Sequence, residues 1–180
     1  MSTTTTDIAL APGTWAIDPT HTEVGFVTRH LMVSKVRGSF REVSGTVEVA
    51  EDITKSVVDV TAQIASVDTG NADRDTHLKS GDFFDAEQFP TMTFRSTAFD
   101  GETLTGDLTI KDVTKSVTFD VDFGGVGQDP WGNTKAGFEA TATVNRKDWG
   151  LTWNAAVEGG GVLVSDKISL TIDVQLAKQA

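Results

Sequence analysis

From Gly13 to Leu176 apolar and polar residues alternate along most of the chain, the period expected of strands with one buried face. Val58, Val60, Ala62 and Ile64 share a face, with Asp59, Thr61 and Gln63 opposite. Val117 to Phe123 alternates without a fault, as do Ala136 to Val144 and Ile168 to Leu176. Shorter runs at Gly13 to Asp18, Val24 to Val27, Phe40 to Val49, Thr91 to Phe99 and Glu102 to Lys111 complete about eight strands, bounded by Gly, Pro, Asn or Asp. His30 to Val36 fits either an irregular link or a short helix. Short connections and one-sided burial favour an antiparallel meander. Eight strands can close into a barrel without free edges, large enough for one small ligand. A β-sandwich is the alternative. The stretch from Gly45 to Val57 echoes Gly106 to Val117, each reading as strand, Asp/Thr/Lys turn, strand.

The alternation breaks between Asn71 and Phe94. Asn71 can cap a helix, Asp73 with His77 and Asp75 with Lys79 stand four apart on shared faces, and Gly81 suits a left-handed stop. A helix over about residues 71–80 is too short to persist alone. Leu78, Phe83, Phe84, Phe89 and Phe94 would dock it as a plug in one end of the barrel.

Composition narrows the function. There are 26 acidic and 15 basic residues and a net charge of −11, which disfavours nucleic acid or an anionic membrane as the main partner. With no cysteine, neither disulfides nor thiolate chemistry is available. Residues 1–11 read as a loose tail without the features of a secretory signal, and residues 12–178 as a single domain. No segment suits a bilayer span, so the expectation is a cytoplasmic protein without stable membrane insertion.

Several spaced blocks resemble one family. Trp15-Ala-Ile-Asp18, His21, Val24-Gly-Phe26, Arg29-His30 and Val36-Arg-Gly-Ser-Phe40 look like the opening of the YceI-like family. Arg74-Asp-Thr-His-Leu78, Phe83-Phe-Asp85 and Phe89-Pro-Thr-Met-Thr-Phe94 resemble its central signature. Gly106-Asp-Leu-Thr-Ile110, Val113-Thr-Lys115 and Asn145-Arg-Lys-Asp-Trp-Gly-Leu151 resemble its later blocks. The resemblance implies an extended lipocalin-like barrel that binds a long polyisoprenoid or similar lipid; the first functional hypothesis is transport or storage of such a lipid, with a prenyl diphosphate or a quinone-like molecule as candidate cargo. Many members carry a secretory leader, which these first residues do not resemble.

One face of each strand should line the pocket, giving Phe26, Phe40, Val60, Ile64, Phe94, Leu108, Phe119, Phe138, Leu151 and Trp153, with Leu78 and Phe83 from the plug. Periodicity alone fits a solid core equally well. Small residues at Ala136, Ala140 and Ala142 lean toward a hollow interior, and the resemblance implies one. Arg29, Lys35, Arg37 and Arg41, with His30, fall in a stretch free of acidic residues and are candidates for a polar or phosphorylated headgroup. Trp149 and Trp153 can frame an opening or close the core.

Arg74, Asp75 and His77 form the one catalytic-looking group, a histidine beside a carboxylate. Its simpler role is structural, with Arg74 and Asp75 pinning the helix to neighbouring strands and His77 bonded to buried backbone. His21 would be a similar tie. The three histidines lack metal-ligand spacing, and no Gly-x-Ser-x-Gly is present. Gly124 to Gly127 and Gly159 to Gly161 lack the Lys-Ser/Thr of a phosphate loop and read as hairpin loops. The expectation is a non-enzymatic lipid binder without cofactor or metal, open-ended and able to pair as a homodimer. An enzyme acting on an isoprenoid through His77 and Asp75, and a solid-core interaction domain, remain the alternatives.

Overall fold

Eight antiparallel strands close into a barrel, and three of the eight are bent. The structure is a computed structural model describing residues 8–31, 33–154 and 163–179. Its strands are β1 (Gly13–Ile17), β2 (Glu23–His30), β3 (Ser34–Phe40), β4 (Val43–Val49), β5 (Val57–Gln63), β6 (Val67–Asp68), β7 (Thr91–Phe99), β8 (Thr103–Ile110), β9 (Val113–Gln128), β10 (Thr134–Asn145) and β11 (Lys167–Lys178). β1 and β2 are halves of one strand, interrupted by the single turn Pro19–His21; β1 pairs with β4 and β2 with β3. β3 and β4 are likewise one strand broken at Arg41 and Glu42, and β5 and β6 one strand broken at Ile64–Ser66. Counted this way the barrel is an up-and-down meander, each strand beside its sequence neighbour, with β11 returning to both β1 and β2 to close the ring.

The bends have local causes. At the first, proline cannot extend the ladder, and the Asp18 carboxylate accepts from the Thr20 N–H at 3.0 Å. Asp52, Asp100 and Asp129 hold other turns in the same way, accepting from N–H groups two residues ahead. His30 to Val36 is neither helix nor irregular link: it belongs to the hairpin between β2 and β3, with Leu31 and Val33 at its turn.

Gly124 to Gly127 correct another expectation. They lie inside β9, which runs on to Gln128, and the hairpin loop is Asp129 to Asn133 instead. The echoed hairpins also differ. β4 and β5 are joined through the 3₁₀ turn Ile53–Lys55, whereas β8 and β9 meet at Lys111 and Asp112, both at positive φ as a tight hairpin requires. Gly159 to Gly161 lie outside the described residues.

The one α-helix among the described residues, α1 (Ala72–Lys79), sits at the barrel end where β6 stops and β7 starts. The Asn71 side chain caps it, accepting from the Arg74 N–H at 3.0 Å. Asp73 and Asp75 in its first turn and His77 and Lys79 in its last complement the helix dipole. It stops at Ser80, which is extended and bonds back to the His77 carbonyl, so Gly81 is not the left-handed stop its identity suggests. No residue of α1 is buried. Its anchors are Leu78 and the following Phe83 and Phe84, which pack into the clusters around Trp149 and Ile64.

Candidate functional site

The barrel encloses a cavity of about 600 Å³, within the range of pockets that hold small organic ligands. It follows from strand alternation. Even-numbered residues of β2 face inward (Val24, Phe26, Thr28, His30), as do Leu108 and Ile110 of β8 and Ile168, Leu170, Ile172, Val174 and Leu176 of β11. Of the expected lining residues, Phe26, Phe40, Val60, Leu78, Phe83, Phe94, Leu108, Phe119, Phe138, Leu151 and Trp153 all border it. Ile64 does not. It lies in the turn after β5, where alternation ends, and packs with Phe40, Val43, Ala62 and Val67. Ala140 borders the cavity, but Ala136 is consumed by packing against Trp15, Val49 and Leu176. Trp149 closes the core, buried and donating from its indole N–H to the Leu108 carbonyl at 2.9 Å, whereas Trp153 stands at the helix end against His77.

The two ends of the cavity differ in chemistry. Away from the helix, Ile8, Leu10 and Ile53 border it, so part of the stretch that reads as a loose tail packs against the barrel. At the helix end its border includes Arg29, His30, Asp73, Arg74, His77 and Arg146. Arg29, Asp73 and Arg74 are also exposed, so the cavity meets the surface beside α1. The helix therefore flanks an opening.

Within that rim the expected ties take specific forms. Asp75 accepts from the Thr69 N–H at 2.8 Å and its hydroxyl at 2.6 Å, and Arg74 donates to the same hydroxyl at 2.8 Å and to the Thr69 carbonyl at 2.7 Å. Both thus tie the helix to the segment just before it, not to a distant strand. His77 Nε2 lies 2.9 Å from Asp82, and its ring stands edge-on to Phe83 and Trp153. It is bonded neither to buried backbone nor to Asp75, so a His77–Asp75 dyad does not form. His21, at the far end of the barrel, is exposed and its Nδ1 lies 3.0 Å from the Asp18 carboxylate, so it braces its own turn and is not bonded to buried backbone. Among the described residues no group of three metal-ligating side chains converges.

The headgroup candidates separate. Arg29 reaches the cavity border. Lys35 and Arg37 do not, because odd positions of β3 face outward; they pair across the ladder with Arg29 and Val27 and line a groove on the outer wall. Arg41 sits in the break between β3 and β4 and bonds Asp68 at 3.1 Å, also outside the cavity.

Arg146 is the rim residue that the patterning conceals. It opens the turn Arg146–Trp149, framed by Asn145, whose side chain accepts from the Lys147 N–H, and by Gly150 at φ 80°. Its side chain is buried, donating to the carbonyls of Ser165 at 3.0 Å and Leu151 at 2.6 Å, and lies 5.9 Å from the Phe83 ring centre. Burial lowers its pKa and nearby Asp166 opposes that shift. Asn and Gly announce the turn in the sequence, but nothing in the block distinguishes the buried arginine from exposed Lys147 beside it.

The YceI-like domain family model matches residues 15–176. The UPF0312 protein SA2479 of Staphylococcus aureus is 39% identical over 167 residues, spanning 91% of this chain and 96% of that protein. Among solved structures, the Campylobacter jejuni YCEI protein is 34% identical with a TM-score of 0.71, covering 84% of this chain and 90% of its own. Burkholderia cenocepacia BcnA is 22% identical with a TM-score of 0.74, covering 88% of this chain and 98% of its own. A polyisoprenoid binding domain from Saccharophagus degradans is 12% identical with a TM-score of 0.67, covering 92% and 98%. At those identities the last two share the barrel, and the likeness is one of fold.

Proposed function

This chain belongs to the YceI-like domain family, and we propose that it binds a long polyisoprenoid or similar amphiphilic lipid in its barrel, as a carrier or store, without altering the lipid covalently. One observation carries the reading: an apolar cavity runs inside the barrel and its charged lining residues are confined to the end where it meets the surface. That polarity matches an amphiphile with its tail inside and its head at the rim. The fold shared with a polyisoprenoid binding domain supports the same ligand class.

The energetics suit a long flexible chain. Burial contributes about 0.8 kcal/mol per methylene, so each prenyl unit adds up to a few kcal/mol, offset by the cost of ordering the chain. A greasy channel discriminates poorly between single methylenes. Chain length is then selected by the depth between the rim and the apolar cover of Ile8, Leu10 and Ile53. At the rim, Arg29, His30, Arg74 and Arg146 are the donors for a polar head.

Mass spectrometry of the intact protein under native conditions, followed by organic extraction, tests this directly. The expected result is a co-purifying lipid, or stoichiometric uptake of a polyprenyl alcohol delivered from detergent micelles. Failure to take up polyprenyl alcohol, prenyl quinone or an apolar fluorescent probe would sink the proposal. The His77–Asp82 pair at the rim is the observation that favours catalysis instead. Product formation that disappears in His77→Ala while lipid binding persists would establish an enzyme.

A further inference from the structure

The outward-facing cations of β2, β3 and β11 form a groove on the outer wall, and of these cations only Arg29 also reaches the cavity border. Arg29 and Lys35 are cross-strand partners, Arg37 lies opposite Val27, and Lys167 follows on β11; all four are exposed and line one groove with Thr143, Ser165 and Ser169. None of the four is in an ion pair among the described residues. The carboxylate bordering them, Asp166, is turned to Arg146 and Lys147, at 3.7 and 3.4 Å. On a chain of net charge −11 this is a local inversion of sign.

The same hairpin ends in exposed apolar side chains. Val33 is 79% exposed and Leu31 39%. Leu31 also has φ 55°, a left-handed conformation that costs a non-glycine residue about 1–2 kcal/mol. Glycine or asparagine would turn this hairpin more easily, so the fold itself does not account for leucine there. The tip stands at the cavity's open end: Leu31 donates from its N–H to the Leu163 carbonyl, and Leu163 borders the cavity.

We propose that the β2–β3 hairpin tip and the adjoining cationic wall are a docking surface for an anionic lipid bilayer, which seats the barrel's opening on the membrane where its lipid resides. Lysine and arginine beside an anionic surface attract it, and apolar side chains at the tip enter the interfacial layer. A soluble polyanion matches the charges but gives Leu31 and Val33 nothing to contact. The net charge does not forbid docking, because repulsion from distant carboxylates is screened beyond about 8–10 Å while the patch is in contact. The inference rests on the lipid-binding reading above but is tested independently of it.

The test is flotation of the full chain with vesicles of phosphatidylcholine alone or with 30% phosphatidylglycerol. Binding should require phosphatidylglycerol and fall with salt. Lys35→Gln with Arg37→Gln should weaken it about twenty-five-fold, at about fivefold per cation, whereas Lys55→Gln with Lys178→Gln, at the opposite end, should leave it unchanged. Val33→Ser should weaken vesicle binding without altering its salt dependence. Neither Lys35 nor Arg37 borders the cavity, so the first double variant should keep normal polyprenyl alcohol uptake from micelles. Vesicle binding that is absent, independent of phosphatidylglycerol, or equally reduced by both double variants overturns the docking surface. Retained micellar uptake in those outcomes leaves the cavity reading intact. Binding abolished by stoichiometric heparin with no effect of Val33→Ser would assign the patch to soluble polyanions and likewise overturn it.

Discussion

Phe26 lies across the bare backbone of its cross-strand partner Gly38, where a Cβ would stand 2.7 Å from the ring's Cε2. The two residues share the inner wall, so the missing side chain is what lets the ring lie flat and leaves space inside the barrel. Gly106 and Phe94 repeat the device on β8 and β7, with a Cβ at 2.5 Å from the ring's Cζ. Gly38→Ala should force Phe26 off the wall and into the cavity. The expected cost is about 1–3 kcal/mol of stability, as for overpacked sites, together with reduced polyprenyl alcohol uptake. Denaturant melts and a lipid titration measure the two effects, and normal uptake in a destabilised Gly38→Ala variant would show that the ring does not govern the space.

Ala140 tests the cavity without touching the glycines. It borders the empty space between Val121 and Ile172, its neighbours across the ladder. Ala140→Phe places a ring in that space, where it has room that a solid core would deny it. The variant should melt within about 1 kcal/mol of the parent, because the added apolar surface is buried without displacing other side chains. Its uptake of polyprenyl alcohol should drop at least tenfold. Full uptake would mean the ligand runs elsewhere.

Arg146 should be intolerant of change. Its guanidinium serves the carbonyls of Ser165 and Leu151 from inside the barrel end. Lysine cannot reproduce that fork, so Arg146→Lys should cost stability as well as Arg146→Met. Each should lose about 2–4 kcal/mol, since buried acceptors are left unsatisfied. Equilibrium unfolding of both variants reads this, and a lysine variant as stable as the parent would reduce Arg146 to a point charge.

These sites differ in how openly the sequence displays them. The meander and most of the cavity wall follow from alternation, which is why Phe94, Leu108, Phe119 and Phe138 could be assigned to the interior. Whether that interior was filled could not be decided the same way, because a lining residue and a core residue have the same period. Three strands carry mid-strand breaks, and a break resets the alternation: Ile64, expected on the wall, sits at one and packs into the core, and Arg41, expected at the cavity mouth, sits at another and pairs with Asp68. Lys35 and Arg37 show a different failure. Charge clustering along the chain located them together, but only the parity of β3 against inward-facing Val36 shows that they point outward. Arg146 was hidden because burial of a charge depends on carbonyls nearly twenty residues away, supplied by the Val164 and Ser165 segment.

The bend between β1 and β2 carries a pH signature. Lys135 donates to Asp18 at 2.7 Å, both side chains being mostly shielded from water at 19% and 13% exposure. That bond, with those from Thr20 and His21, holds the Asp18 carboxyl well below the ordinary carboxylate range, against the opposing effect of burial. A carboxylate with a depressed folded-state pKa binds protons more readily when unfolded, so its stabilisation is complete above the unfolded value near 3.8 and drains away as pH falls through the folded value. Lys135→Met removes the largest cause of the shift. At pH 7 the variant should be less stable by about 1–2 kcal/mol, between the values for exposed and buried pairs. On acidification below pH 4 the parent should lose stability faster than the variant, and the gap should narrow toward pH 2. Urea melts of both proteins between pH 7 and pH 2 measure it. A difference that stays constant across that range would place the contribution of Lys135 in packing of its methylenes and not in its bond to Asp18.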